Sequence, residues 1–140
     1  MTTTGKIELM APAGNFESLQ AAIDNGADSV YFGVDQLNMR ARASINFTID
    51  DLPEIQKRCS DKGVRTYLTL NTIIYDHDLS IIKTLIDAAK SANITALIAM
   101  DQAVIAYARQ AGMEIHISTQ INITNIETVK FYAMFADTMV

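Results

Sequence analysis

The sequence predicts an α/β fold of parallel βα repeats that form the N-terminal portion of a TIM-type (β/α)8 barrel, incomplete in this chain. Short apolar runs alternate with stretches of helical periodicity, giving about five βα units before a sixth apolar run starts at Thr138. Each connection is long enough to return to the starting edge of a sheet, which demands parallel pairing with right-handed crossovers. An open doubly wound sheet would satisfy both observations, but its strands, buried on both faces, read as near-continuous Val and Ile. Here Glu8, Tyr67, Thr69, His116 and Ser118 place polar groups at alternate strand positions, as in a barrel interior whose upper layer is a site. A complete barrel usually needs about 250 residues, and 140 are present, so one domain spanning residues 1–140 is expected to hold part of one.

The elements follow in order. Ile7 to Met10 is a first strand, and Ala11-Pro12-Ala13-Gly14 is a turn of small residues. Phe16, Leu19, Ala22 and Ile23 fall on one helical face, and Asn25-Gly26 closes that helix with residues that tolerate a left-handed cap. Ser29 to Phe32 is a β-rich second strand ended by Gly33. A polar, basic connection through Arg40, Arg42 and Asn46 leads to a helix that starts near Thr48, carries Pro53 in its first turn and buries Leu52, Ile55 and Cys59. Arg65 to Leu70 is strand three, and Asp78 is placed as the N-cap of a helix with Leu79, Ile82, Leu85, Ile86 and Ala89 inward. Strand four is Ala96 to Ala99, Asp101 caps a helix with Val104, Ile105 and Ala108 inward, and Met113 to Ser118 is strand five. A capping box, Thr124-x-x-Glu127, precedes a last helix with Ile126, Val129, Ala133 and Ala136 inward.

Composition narrows the function classes. With 49% apolar residues the chain can build a core. A net charge of −5 without a Lys/Arg block argues against a protein that coats nucleic acid. Cys59 is the single cysteine, so no internal disulfide and no multi-cysteine site can form within the chain. No signal-peptide core and no run of roughly 20 apolar residues is present, which leads us to expect a soluble, cytoplasmic protein without membrane contact.

Ligands of both architectures collect at the carboxyl ends of the strands, so the turns there are the candidate sites. Ala11 to Gly14 could bring backbone amides to an anion or be a tight structural turn. Arg40 and Arg42 can grip carboxylate or phosphate bidentately, or be solvated surface charge. Asn71 ends strand three ahead of Asp76-His77-Asp78, where capping outweighs metal binding, and no metal site is expected. Asp101 reads first as a cap. His116, Ser118 and Gln120 are placed on one side of a strand by period two, to bind substrate or to fill a barrel layer. A Ser and a His side by side on one strand do not make a nucleophile and its base. Cys59 reads as a small buried apolar residue.

Taken in order, Glu8-Leu9-Met10-Ala11-Pro12-Ala13-Gly14, Gly26-Ala27-Asp28-Ser29-Val30-Tyr31-Phe32-Gly33, Arg40-Ala41-Arg42-Ala43, Asn46-Phe47-Thr48, Leu70-Asn71-Thr72 and His116-Ile117-Ser118-Thr119-Gln120, with Asn125 and Lys130-Phe131, resemble the collagenase-like peptidases of family U32. The resemblance implies a barrel-type catalytic domain. Members carry the name of peptidase, while relatives include prephenate-dependent hydroxylases of a tRNA wobble uridine or a ribosomal RNA cytidine, and proteins of oxygen-independent quinone hydroxylation. It also implies, for full-length relatives, an iron–sulfur cluster held by cysteines beyond strand six. Those ligands are absent here, so no cofactor is expected on this segment. Relatives show an Asp-Pro-Gly turn where this chain has Asp101-Gln102-Ala103. By matched position the resemblance implies Glu8, Asn71, Ser118 and Gln120 at the barrel mouth and Arg40 and Arg42 as anion contacts, with no catalytic step assigned to any of them.

The expected function is therefore a barrel segment that contributes to RNA base hydroxylation in a full-length enzyme, with RNA or an anionic small molecule as its partner and little activity alone. A noncatalytic truncated or split subunit, a genuine peptidase, and an unrelated anion-binding barrel enzyme are the alternatives. Unpaired strand edges are expected to self-associate or to pair with the remainder of a barrel.

Overall fold

The computed structural model describes residues 5–34 and 47–140. Arg40, Arg42 and Asn46, and with them the expected anion-binding loop, lie outside the described residues. Six strands form one sheet in sequential order, all neighbours parallel. They are β1 (Met10–Pro12), β2 (Ser29–Phe32), β3 (Arg65–Leu70), β4 (Ala96–Ala99), β5 (Glu114–Ile117) and β6 (Thr138–Met139). Between them run α1 (Phe16–Asp24), α2 (Leu52–Ser60), α3 (Leu79–Ser91), α4 (Gln102–Gln110) and α5 (Ile126–Tyr132). The sheet curves into a half-barrel with β1 and β6 at its edges.

The helices pack on the outer face of the sheet. Val30, Phe32, Leu68, Leu70, Leu97, Ile115 and Ile117 point outward from their strands and are fully or almost fully buried beneath the predicted stripes of α1 to α4. Burying each such side chain contributes roughly 1.5–3 kcal/mol before entropy is counted. Cys59 lies within this layer, and burial pushes its thiol up to about 11, consistent with an apolar role. The other face is concave, and its side chains alternate with the outer set because strand side chains repeat every two residues.

Local signals hold at most boundaries and fail at a few. The first strand is Met10–Pro12 rather than Ile7 to Met10: ladder pairing starts where Met10 meets Ser29, and before it the Leu9 carbonyl accepts from Asp28 and Ser29 N–H while the Leu9 N–H donates to the Asp28 carboxylate. The small-residue turn does not present open amides, because Gly14 and Asn15 N–H both donate to Ser18 Oγ. Asn15 and Ser18 form a reciprocal capping box that starts α1. Asp78 stands at the N-cap position of α3, as read, but its side chain makes no capping bond to that helix. Its carboxylate accepts from Tyr75 N–H at 3.0 Å and closes the preceding 3-10 turn. The cap of α5 is Asn125, whose Oδ1 accepts from Thr128 N–H at 2.9 Å, one residue later than the expected Thr124. Ile126 of α5 and Ala133 just after it are exposed rather than inward, and α5 buries no residue fully.

Candidate functional site

The parallel register sorts the concave face by height. Arg65 and Glu114 open β3 and β5, and Glu8 lies two residues ahead of β1, so these charged groups gather at the amino ends of the strands. There the Tyr67 hydroxyl donates to Glu8 Oε1 at 2.7 Å, and the Arg65 guanidinium pairs with Glu8 Oε2. His116 Nε2 meets Glu114 Oε1 at 2.7 Å while its ring packs edge-on against Tyr67, centroids 4.7 Å apart. Burial pushes the Glu8 carboxyl up, but the Ser29 and Tyr67 hydroxyls and the Arg65 charge outweigh it and hold the group below the usual glutamate range. Burial and the Glu8 contact push the Tyr67 phenol well above its ordinary value. Ser29 Oγ is buried facing this carboxylate, with no hydrogen bond of good geometry among the described residues.

Glu8 is therefore not at the barrel mouth with Asn71 and Ser118. A residue preceding its strand in a parallel sheet lies at the amino end. A cavity of about 230 Å³ there is lined by Glu8, Arg65, Tyr67, Glu114 and His116 among others.

At the carboxyl ends a separate cavity of about 200 Å³ is lined by Met10, Tyr31, Thr69, Asn71, Ile98, Ser118, Thr119 and Val140. Among the described residues every side chain in that wall is uncharged. Tyr31 packs in a small cluster with Tyr67, Ala96 and Ile98. The Thr69 hydroxyl donates to Phe32 O at 3.0 Å, which fixes it on the wall. Asn71 follows β3 directly, and its Nδ2 lies 3.4 Å from Ser118 Oγ. Ser118 follows β5, donates its N–H to Ala99 O at 2.8 Å, and caps the turn Thr119–Ile121 by accepting from Gln120 N–H at 3.3 Å.

Asn71 and Ser118, predicted from the sequence, thus meet at one cavity. Gln120 does not join them: β5 ends at Ile117 and the chain turns at Ser118, so period two stops applying and the Gln120 side chain is exposed. Asp101 is a cap, as read, accepting from Ala103 N–H at 2.8 Å, and it also takes Ile74 N–H at 3.3 Å from the loop after β3. The sequence reading passed over Met10, Tyr31 and Ile98 as cavity wall, although period two along β1, β2 and β4 carries that signal. A wider groove between α2 and the end of α3, lined by Leu52, Lys57, Ala88 and Asn93 among others, lies on the outside of the barrel, away from the strand ends.

Among the described residues no group of three metal-ligating side chains comes together, and no helix is long and apolar enough to cross a membrane. The iron–sulfur cluster implied by the family resemblance does not fit the residues present. Such a cluster takes four thiolates, and the one thiol is sealed in the core between α2 and the sheet with its proton held tightly.

Solved structures share this architecture. A U32 peptidase superposes with a TM-score of 0.74 at 11% identity, covering 99% of this chain and 60% of that one. Deoxyribose phosphate aldolase from Aeropyrum pernix superposes with a TM-score of 0.72 at 16% identity, covering 95% and 63%. In sequence the chain is 56% identical over 133 residues to a collagenase of Porphyromonas gingivalis, covering 95% of this chain and 32% of the relative. It is 33% identical over 131 residues to a tRNA hydroxylation protein of Bacillus subtilis, covering 92% and 31%. It is also 32% identical over 126 residues to a 23S rRNA 5-hydroxycytidine synthase of Escherichia coli, covering 90% and 19%. The chain thus spans about a third or less of the length of these curated relatives. The model of Peptidase family U32 matches residues 14–140, nearly the whole of the sequence, and the chain belongs to that family.

Proposed function

We propose that the chain is part of an enzyme that hydroxylates RNA bases, and that it supplies the wall of the barrel mouth that receives the base. The observation that carries this reading is the chemistry of the carboxyl-end cavity. Asn71 and Ser118 offer neutral hydrogen-bonding groups over walls made by Tyr31, Met10 and Ile98, a setting for a planar polar ring. Ser118 is poorly suited to attack. Its Oγ is engaged as an acceptor, and the nearest imidazole on its strand, His116, is turned to Glu114 at the other end. Relatives whose names specify tRNA and 23S rRNA hydroxylation support the same substrate class. Arg40 and Arg42 are proposed as phosphate contacts on sequence pattern and family resemblance. A redox centre for the oxidation would come from outside these residues, and a cytoplasmic location follows from RNA as substrate.

Deleting the intact gene and measuring nucleosides of tRNA and ribosomal RNA by mass spectrometry tests the reading. Loss of a hydroxylated pyrimidine, restored by the wild-type gene, is expected. Unchanged RNA, together with gelatin cleavage by the purified full-length protein that disappears in Ser118→Ala, would establish the peptidase reading instead.

The sheet edges favour a second reading, that the chain completes a barrel with further strands. Ile7 and Leu9 beside β1 and Phe131, Met134 and Val140 beside β6 are exposed apolar residues. A monodisperse monomer with a cooperative melt in light scattering would remove it.

A further inference from the structure

We propose that the loop between β3 and α3 is a stacking surface for single-stranded RNA, on which Tyr75 and His77 hold the faces of nucleotides that flank the substrate base. The inference rests on the RNA-base reading and adds to it a contact outside the cavity.

The loop leaves β3 at Asn71 and divides its side chains between core and water. In its extended part Ile74 turns inward and packs against the core, which leaves Ile73 and Tyr75 on the opposite side, 64% and 61% exposed. The turn Asp76–Asp78 then brings His77 back beside Tyr75. Their rings are parallel within 1°, with centroids 5.8 Å apart, and the His77 side chain is 79% exposed.

The backbone beneath the two rings is held in place. Ile74 N–H donates to Asp101 Oδ2 at 3.3 Å, Tyr75 N–H to Asp78 Oδ2 at 3.0 Å, and Asp78 N–H to Tyr75 O at 2.8 Å. Asp101 caps α4 shortly after β4, so the loop is tied along the carboxyl-end rim from β3 to β4. Aromatic faces kept in water add little to stability, while a base laid on them buries both surfaces without first having to order the loop.

The chemistry of the partner follows from what the loop offers. Flat aromatic faces suit unstacked bases, which proteins hold on Tyr and His rings. No Lys or Arg occurs between Asn71 and Ile82, and Asp76 is exposed beside the rings, so the loop is not built to grip phosphate. A duplex has its base faces already stacked, whereas a single strand has them free.

Labelled oligoadenylate and oligouridylate of about ten nucleotides are titrated by fluorescence anisotropy into the full-length protein, as wild type, Tyr75→Ala, Tyr75→Phe and His77→Ala. Wild type is expected to bind both strands. Tyr75→Ala should weaken each by about tenfold, the worth of one base stacked on an aromatic ring, and His77→Ala should weaken each by less. Tyr75→Phe should bind as wild type does, because the ring face is what is used. The Tyr75→Ala loss should be the same at about 50 mM and about 200 mM salt, since no phosphate contact is removed. Wild-type binding by Tyr75→Ala, an equal loss in Tyr75→Phe, or no binding of either strand by wild type would overturn the proposal. So would a change of oligomeric state in Tyr75→Ala that accounts for the loss, which would assign the rings to a protein contact. Hydroxylation fails separately, if deleting the gene leaves every hydroxylated nucleoside in place while the purified protein still binds RNA through Tyr75.

Discussion

At the amino ends of the strands Glu8, Arg65, Tyr67, Glu114 and His116 answer one another's charge and hydrogen bonds, whereas at the carboxyl ends Thr69, Asn71 and Ser118 are uncharged and surround a cavity. Both sets sit on the same concave face, on overlapping strands. The difference shows that polar residues inside a barrel do not form one class. A charge placed inside must be paired to be tolerated, and once paired it is satisfied and unreactive, so the amino end ties β1 and β5 to β3. Neutral groups cost less to leave facing a cavity, and a ligand can take up their hydrogen bonds. This matches the general division of such barrels, in which the bottom face stabilises and the top face works.

The largest expected effect comes from breaking the amino-end cluster at its centre. Tyr67 is 2% exposed and touches Glu8 and His116, so Tyr67→Ala should cost roughly 3–5 kcal/mol of stability, read by urea melts. If the protein melts as wild type does, the amino end is not the structural tie we describe. A smaller effect comes from the ion pair alone. The Glu8 carboxyl is held below its ordinary range, so its contribution is present above the unfolded value of about 4.3 and is lost as the pH falls through its lower folded value. Glu8 is partly exposed, so screening keeps the contribution to about 1 kcal/mol. Glu8→Gln should lower stability at pH 7 and flatten the fall between neutral pH and pH 3. A variant whose melts track wild type at every pH would contradict the pairing.

How far these two ends were legible in the sequence differs for a physical reason. The strands β3 and β4 and the buried stripes of α2 to α4 followed from local periodicity, since the helix and strand repeats act over a few residues. Asn71 and Ser118 were legible as site residues because each immediately follows a strand, and the carboxyl-end rule applies to any parallel sheet. The partnership of Glu8 with Arg65 and Tyr67 was not, because it joins residues 57 and 59 positions apart through the register of three strands. Gln120 was misplaced because period two was carried past Ile117 into a turn. Asn125 lost to Thr124 in the sequence reading because both residue types cap helices, and only the extended backbone at Asn125 decides between them.

Two further substitutions sharpen the contrast within the mouth itself. Asp101 is a charged residue at the carboxyl end whose two carboxylate oxygens each accept a backbone N–H, from Ala103 and from Ile74. Asp101→Ala should cost about 1 kcal/mol through the lost cap, with any loss of the proposed RNA modification no greater than the loss of folded protein.

Ser118→Ala removes an acceptor engaged, among the described residues, by long contacts of 3.3 and 3.4 Å. Its cost in stability should be about 0.5 kcal/mol, the low end for a hydrogen bond, while the proposed modification should fall well beyond that. The two variants therefore separate on a plot of modification against stability, Asp101→Ala along the line set by folded protein and Ser118→Ala below it. Should both fall on the line, the carboxyl-end cavity would be as structural as the amino-end cluster, and the division between the two faces of the half-barrel would not hold.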